Sequence, residues 1–295
     1  MGMRLLIQIF TLINLVICSS SMVFASDGFS ILLTNDDGVE SVGIKVLSLA
    51  LKGAGHTVTV VAPSRQQSGS GMKVSLSDIA VKEIRNDIWS IEGTPSDSVS
   101  VGIQQIMSGQ EIDLVISGPN FGQNLGNNVF VSGTVGAAMT SLMYGVPSIA
   151  LSIGINLEEA SAMPSRFPST LSSFAPAAEF LTSFLGQWKG RDLRTIFPSN
   201  SMININYPEI GKENIKGVKW VEVGALGGFK IGYFSTKSGK VPTSISENET
   251  VDLQARDLAM FNRGYITLSM LTLDWNTPKN RYHGISGSFR IDGYR

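Results

Sequence analysis

The sequence predicts an α/β fold: a mostly parallel sheet with helices on both faces. Three observations predict it. Short apolar runs stop at Gly, Pro or polar clusters, helix-like stretches separate them, and the two alternate along a chain of 295 residues. The first run, FSILLTNDDG (29–38), carries Ile31, Leu32 and Leu33 into polar residues and Gly38, as a buried strand runs into a loop. Val42, Ile44, Val46, Leu47, Leu49 and Leu51 then fall in a helix-like stretch that closes at Gly53 and Gly55. HTVTVVAPS is a second strand, stopped by Pro63, and it completes a βαβ unit whose crossover should be right-handed. The alternation continues with a helix over 97–109, Asp97 near its start, and a strand over 111–120. A small-residue helix over 132–145, a strand over 146–154, a helix over 170–187 and a strand over 201–208 follow. Past about residue 220 the chain turns polar and rich in Gly and Ser, which fits a projecting hairpin or a loop. GYITLSMLTLDWN (264–276) alternates apolar and polar residues and reads as a returning strand.

Composition bounds the function. With 43% apolar and 16% charged residues the chain is globular. A formal net charge of −1 excludes the basic field that a nucleic-acid polymer would need. Arg4 is the only charge before Asp27, and an apolar stretch between them ends in Val23-Phe24-Ala25, a small-x-small cleavage pattern. Residues 1–25 therefore read as a signal peptide, with 26–295 as one domain exported to the periplasm or secreted. A retained anchor is the alternative, but the apolar run is short for a span and Gln8 and Asn14 interrupt it. If the segment is not a functional signal, the protein is cytoplasmic. Bulky Ile17 argues against a lipid on Cys18. Cys18 is the only cysteine, so the processed chain offers no disulfide or thiolate metal site.

In open parallel sheets ligands bind beyond the carboxyl ends of the strands. Three polar loops should meet there: Asn35-Asp36-Asp37-Gly38, the loop over 64–71 that carries Ser68, and the loop over 117–128 that carries Asn120 and Asn124. Adjacent carboxylates repel unless a cation sits beside them, and hard divalent cations prefer oxygen ligands. Asp-Asp-Gly is equally a turn leading into a helix cap. Ser132-Gly133-Thr134, opening a helix, suits a phosphate through its free N–H groups, and also suits an ordinary N-cap. His56 and His283 lie away from this rim.

ILLTNDDGVESVGI (31–44), VTVVAPSRQQSGSG (58–71), GTPSDSV (93–99), DLVISGPNFGQNLG (113–126) and SGTVGAAM (132–139) resemble, in order and spacing, the motifs of the SurE family of 5′/3′-nucleotidases. NINYP (204–208) and GYITLSMLTLD (264–274) fit as well. The resemblance implies a Rossmann-like core over about 29–225, a projecting segment over about 226–262 used in dimer contacts, and a returning strand and tail over about 263–295. It implies hydrolysis of nucleoside monophosphates with one divalent cation, Mg²⁺ or Mn²⁺ with Ca²⁺ as a third choice, in a homodimer or homotetramer. The implied metal ligands are Asp36, Asp37, Ser68 and Asn120. Asp36 and Asp37 are the expected catalytic residues, and direct attack by water is the expected mechanism, with Asp36 both a ligand and the base that orients the water. The implied substrate contacts are Asn35, Asn124, Ser132, Gly133 and Thr134. Three positions depart from the family pattern: Asn128 replaces an Asp, Thr140-Ser141 replace an acidic residue and a glycine, and Arg256-Asp257 replace Thr-Asp. A phosphoreceiver module also places an acidic pair after its first strand, but its acceptor Asp should end a later strand, where Ser117 and Gly118 stand. A periplasmic nucleotide binder without catalysis is the other rival.

Overall fold

The computed structural model describes residues 28–162, 164, 166–234, 241, 243–247, 256–274 and 276. The expected signal peptide and the tail beyond 276 lie outside the described residues.

β1 (Ser30–Thr34) is buried from Ile31 onward, as its unbroken apolar run requires. α1 (Val42–Gly53) turns Ile44, Leu47 and Leu51 inward at helical spacing. β2 (Thr57–Pro63) returns parallel to β1, with Val60 opposite Leu33. An antiparallel hairpin follows, β3 (Val81–Arg85) and β4 (Ile88–Ile91), and β4 extends the sheet beside β2.

α2 (Pro95–Val101) opens on a capping box: the Thr94 hydroxyl accepts from the Asp97 N–H, and the Asp97 carboxylate accepts from the Thr94 N–H. The helix expected over 97–109 is shorter than the sequence pattern implies, because the α-helix gives way to a π-helical turn over Gly102–Ile106. β5 (Leu114–Phe121), a 3₁₀ turn (Gly126–Phe130), α3 (Gly133–Leu142) and β6 (Ser148–Ile153) come next. α4 (Leu157–Ser161), α5 (Pro168–Gly186), α6 (Leu193–Ile196), β7 (Ser201–Tyr207), α7 (Gly211–Asn214) and β8 (Val218–Trp220) complete the first part of the chain. The polar stretch holds a true hairpin, β9 (Phe229–Tyr233) and β10 (Thr243–Glu247), which forms a separate two-stranded antiparallel sheet. α8 (Asp257–Asn262) and β11 (Ile266–Thr272) lead back, and β11 pairs antiparallel with β7.

The main sheet has nine strands in the order β3-β4-β2-β1-β5-β6-β7-β11-β8. α1 and α5 pack together on one face and α2 and α3 on the other, which accounts for the two main apolar clusters. β1 lies between β2 and β5, so the chain leaves β1 to one side and later passes to the other. A crevice opens at such a reversal beyond the carboxyl ends, here between the loops that follow β1 and β5. Among the described residues no helix is long and apolar enough to cross a membrane.

Candidate active site

The loop after β1 is shaped by Asn35. Its amide nitrogen donates to the Gly38 carbonyl at 3.1 Å and the Ser41 hydroxyl at 2.8 Å, and its oxygen accepts from the Gly38 N–H at 3.2 Å. Both ends of a side chain expected at the substrate are thus engaged inside its own loop. The effect is to present Asp36 and Asp37 beyond the strand.

Asp36 is only 2% exposed. Its Oδ1 accepts a hydrogen bond of 2.6 Å from the Thr134 hydroxyl, so it lies against the start of α3. Asp37 Oδ2 accepts from the Phe121 N–H at 2.9 Å, which ties it to the end of β5. Burial raises the Asp36 carboxyl above the ordinary range against these hydrogen bonds. Burial, and then the Asp36 charge, push Asp37 up to about 7. Among the described residues no Lys, Arg or His forms an ion pair with either carboxylate.

Asn120 stands one residue before the peptide that holds Asp37. It is 7% exposed; its nitrogen donates to the Gly122 carbonyl at 2.6 Å, while its oxygen is buried without a hydrogen-bond partner. A buried acceptor left unpaired costs about 1–3 kcal/mol. Two carboxylates without an ion-pair partner among the described residues, and an orphaned amide oxygen at the strand end to which Asp37 is bonded, make an all-oxygen donor set whose chemistry fits a hard divalent cation. Ser68, the fourth expected ligand, lies on an exposed part of its loop, where its hydroxyl accepts from the Gln66 amide at 2.9 Å. The loop itself is anchored to the site, since the Gln67 N–H donates to the Asp36 carbonyl at 2.7 Å. Among the described residues no three His, Cys, Asp or Glu gather into one group.

Ser132 is the N-cap of α3, its hydroxyl accepting from the Val135 N–H at 3.1 Å. Gly133 sits so close to its neighbours that an added Cβ would meet Ser70 Oγ at 2.6 Å and Asp36 Oδ2 at 3.0 Å. Asn124 is buried, and its amide donates to the Ser152 hydroxyl at 2.9 Å. The structure therefore brings Asp36, Gly133 and Thr134 together and links Asp37 to the Asn120 strand end.

The family description "Survival protein SurE" matches residues 31–226, well over half of the chain. The chain belongs to the SurE family. It is 32% identical over 258 residues to a protein named 5′-nucleotidase SurE from Clostridium botulinum, covering 85% of this chain and 96% of that one. It is 36% identical over 201 residues to one of the same name from Gloeobacter violaceus, covering 66% and 70%. The crystal structure of the SurE protein from Aquifex aeolicus superposes with a TM-score of 0.70 at 30% identity, covering 88% of this chain and 98% of that chain.

Two departures from the SurE pattern have a geometric reading. Asn128 pairs with the Phe229 backbone in both directions, accepting from its N–H at 3.0 Å and donating to its carbonyl at 3.2 Å. An aspartate could only accept. Thr140 and Ser141 turn their hydroxyls onto the helix's own carbonyls of Gly136 and Ala138. Four polar residues that shape this SurE site escaped the reading from sequence. Ser70 places a buried, unpartnered hydroxyl beside Gly133. Asn204 and Asn206 both donate to the Asn124 carbonyl, at 2.9 and 3.1 Å. Asp257 accepts from the Gly126 N–H at 2.7 Å. Asn204 and Asn206 alternate within β7 and so share one face, a signal the sequence does carry.

Proposed function

We propose that this SurE-family chain is a hydrolase, a 5′-nucleotidase that releases phosphate from nucleoside monophosphates with the help of one divalent cation. The observation that carries the reading is the orphaned Asn120 oxygen at the end of β5, the strand end to which the buried Asp37 is bonded, with Asp36 next to it and no ion-pair partner for either carboxylate among the described residues. Asp36, Asp37 and Asn120 would hold the cation, with Ser68 reaching in from its anchored loop. Mg²⁺ and Mn²⁺ suit such a donor set best, and Ca²⁺ shares its preference for oxygen. When bound, a hard cation stabilises the negative charge that develops on the transferred phosphoryl group.

The chain's own groups do the rest. The first turn of α3, with Ser132, Gly133 and Thr134, would offer backbone N–H groups, the Ser132 hydroxyl and the positive end of a helix to the phosphoryl oxygens, while the Thr134 hydroxyl is held by Asp36. Asn35 holds the acidic loop in place, and Asn124 would reach the substrate from the loop after β5, where Ser152 holds its amide. Asp36 orients the attacking water and takes its proton. A bond forms from the water oxygen to phosphorus, the ester bond to the ribose oxygen breaks, and that oxygen takes up the proton and leaves as the nucleoside hydroxyl.

Purified protein should release inorganic phosphate from AMP or GMP, lose that activity in EDTA, and regain it with Mg²⁺ or Mn²⁺. Asp36→Asn and Asp37→Asn should each lower the rate by about 1,000-fold or more, as loss of a central charge does. A wild type that binds AMP without releasing phosphate would make it a nucleotide binder instead, and full activity in both variants would remove the acidic pair from the mechanism. Turnover of 3′-AMP in the same assay decides whether 3′-nucleotides are also substrates. Export follows from the amino-terminal pattern: the mature chain should begin near Ser26. Amino-terminal sequencing of protein from the extracellular or periplasmic fraction tests this, and an intact Met1 in the cytoplasm would overturn it.

A further inference from the structure

We infer that Asp257 is a positioning residue, which fixes the loop carrying Asn124 and locks that loop to the root of the projecting β9–β10 arm. Asp257 lies 131 positions beyond Gly126 in sequence and is 0% exposed. Its Oδ2 accepts from the Gly126 N–H at 2.7 Å, and its Oδ1 accepts from the Gly224 N–H at 2.8 Å and the Leu258 N–H at 2.9 Å. One carboxylate thus joins three chain segments: the site loop, the stretch ahead of β9, and the start of α8. Leu125, Leu258 and Phe261 form an apolar cluster around the junction, so water is poorly placed to replace the carboxylate.

The loop has no strand ladder of its own between Gly122 and Gly126, so its shape depends on such clamps. On one side the β7 floor holds Asn124: its N–H donates to Asn206 Oδ1 at 2.7 Å, and Asn204 and Asn206 donate to its carbonyl. On the other side the arm root holds Asn127 and Asn128. Gly227 N–H donates to Asn127 Oδ1 at 2.8 Å, and Asn128 and Phe229 exchange two bonds. Gly126 has a φ of +53°, and a Cβ there would lie 1.9 Å from the Leu226 carbonyl oxygen. Backbone meets backbone at that point, and the carboxylate of Asp257 bridges both sides. Any displacement of the arm root is therefore passed to Gly126 and on to Asn124, two residues away.

Asp257→Asn keeps the shape but turns an amide N–H toward one of the backbone N–H groups. Hydrogen–deuterium exchange on the full chain should rise about tenfold or more in peptides spanning 122–128 and 224–229 together, with β1 and β2 unchanged, as for a cooperative local unit. The kinetic consequence rests on the nucleotidase reading. KM for AMP should rise about tenfold while kcat stays within about threefold, the signature of displaced binding groups. Asn128→Ala, which removes the two Phe229 bonds without touching the carboxylate, should move both readouts in the same direction by less. A rise in exchange over the whole sheet would mean that Asp257 is merely structural, and unchanged exchange in the two segments would overturn the lock. A local rise with unchanged KM would overturn the positioning role. If wild-type protein releases no phosphate from AMP, it is the nucleotidase reading that falls, and the exchange comparison still decides the lock.

Discussion

If the acidic pair holds a cation as proposed, Asp36 and Asp37 give the site a pH dependence that would separate the metal-free from the metal-loaded protein. Asp37 in the fold is pushed up to about 7, against an ordinary 3.8, by burial and then by its neighbour's charge. A carboxyl whose folded pKa is raised contributes stability that is present below its unfolded pKa and lost as pH rises through the folded value. The metal-free protein should therefore lose melting temperature as pH rises from about 4 to about 7, the window set by those two values. A cation bound to the ionised pair reverses the sign, since it stabilises the deprotonated fold. Scanning calorimetry with EDTA and with excess Mg²⁺ should give curves that diverge as pH rises. Asp37→Asn should abolish most of the divergence. Parallel curves would mean that the pair holds no cation. Asn120 belongs to the same proposal: its neutral oxygen would add a ligand without adding repulsion to the acidic pair.

At the scale of elements, the site is a set of strand ends and one helix start, and the sequence showed these unevenly. β1, β2, β5 and β6 were legible because both faces are buried, which forces continuous apolar runs with sharp polar ends. β3 was not, because VKEIR lies exposed on a sheet edge, where charge is favoured and no apolar stripe is needed, and β4 was not, because three of its four residues are only partly buried. The turn at Gly102–Ile106 left no trace, since π geometry keeps the composition of a helix. The sheet rule places Asp36, Asp37, Asn120 and the α3 start at the carboxyl ends of the strands, and the structure has them there. Ser70 and Asp257 were not legible, since each acts through tertiary contact with a distant segment. The approach of α3 to the β1 and β2 loops yields the element-scale prediction. In Gly133→Ala the new methyl would meet Ser70 Oγ at 2.6 Å, Asp36 Cβ at 2.9 Å and Asp36 Oδ2 at 3.0 Å. One of the three loops must move, so kcat/KM on AMP should fall about 100-fold, the cost of an ångström-scale displacement at a reacting centre. Far-UV circular dichroism should stay unchanged, because alanine is a better helix former than glycine. Wild-type kinetics in that variant would show that the crowding at Gly133 has no part in the reaction.

For the whole molecule, the question is what the arm is for. Among the described residues β9 and β10 pair only with each other, and two strands alone are marginally stable in water. Ile231 lies directly opposite Ile245, and these are 47% and 68% exposed, with Tyr233 on the same face of the hairpin at 71%. An apolar pair on an isolated hairpin is a poor surface to leave in water, and a second copy of the chain, as the family resemblance implies, would cover it. The expected state is therefore a homodimer, or a tetramer built from dimers, in which each arm reaches its neighbour. This matters to the site because the arm root is bonded to the loop after β5 through Asp257, Asn127 and Asn128. Holding the arm against a partner would then hold the substrate loop as well. Ile245→Lys places a charge in the centre of the apolar pair and should shift the protein toward monomer in light scattering, with a higher KM for AMP in the monomer fraction. A wild type that is monomeric at micromolar concentration, with unaltered kinetics in Ile245→Lys, would leave the arm without a role in assembly or catalysis.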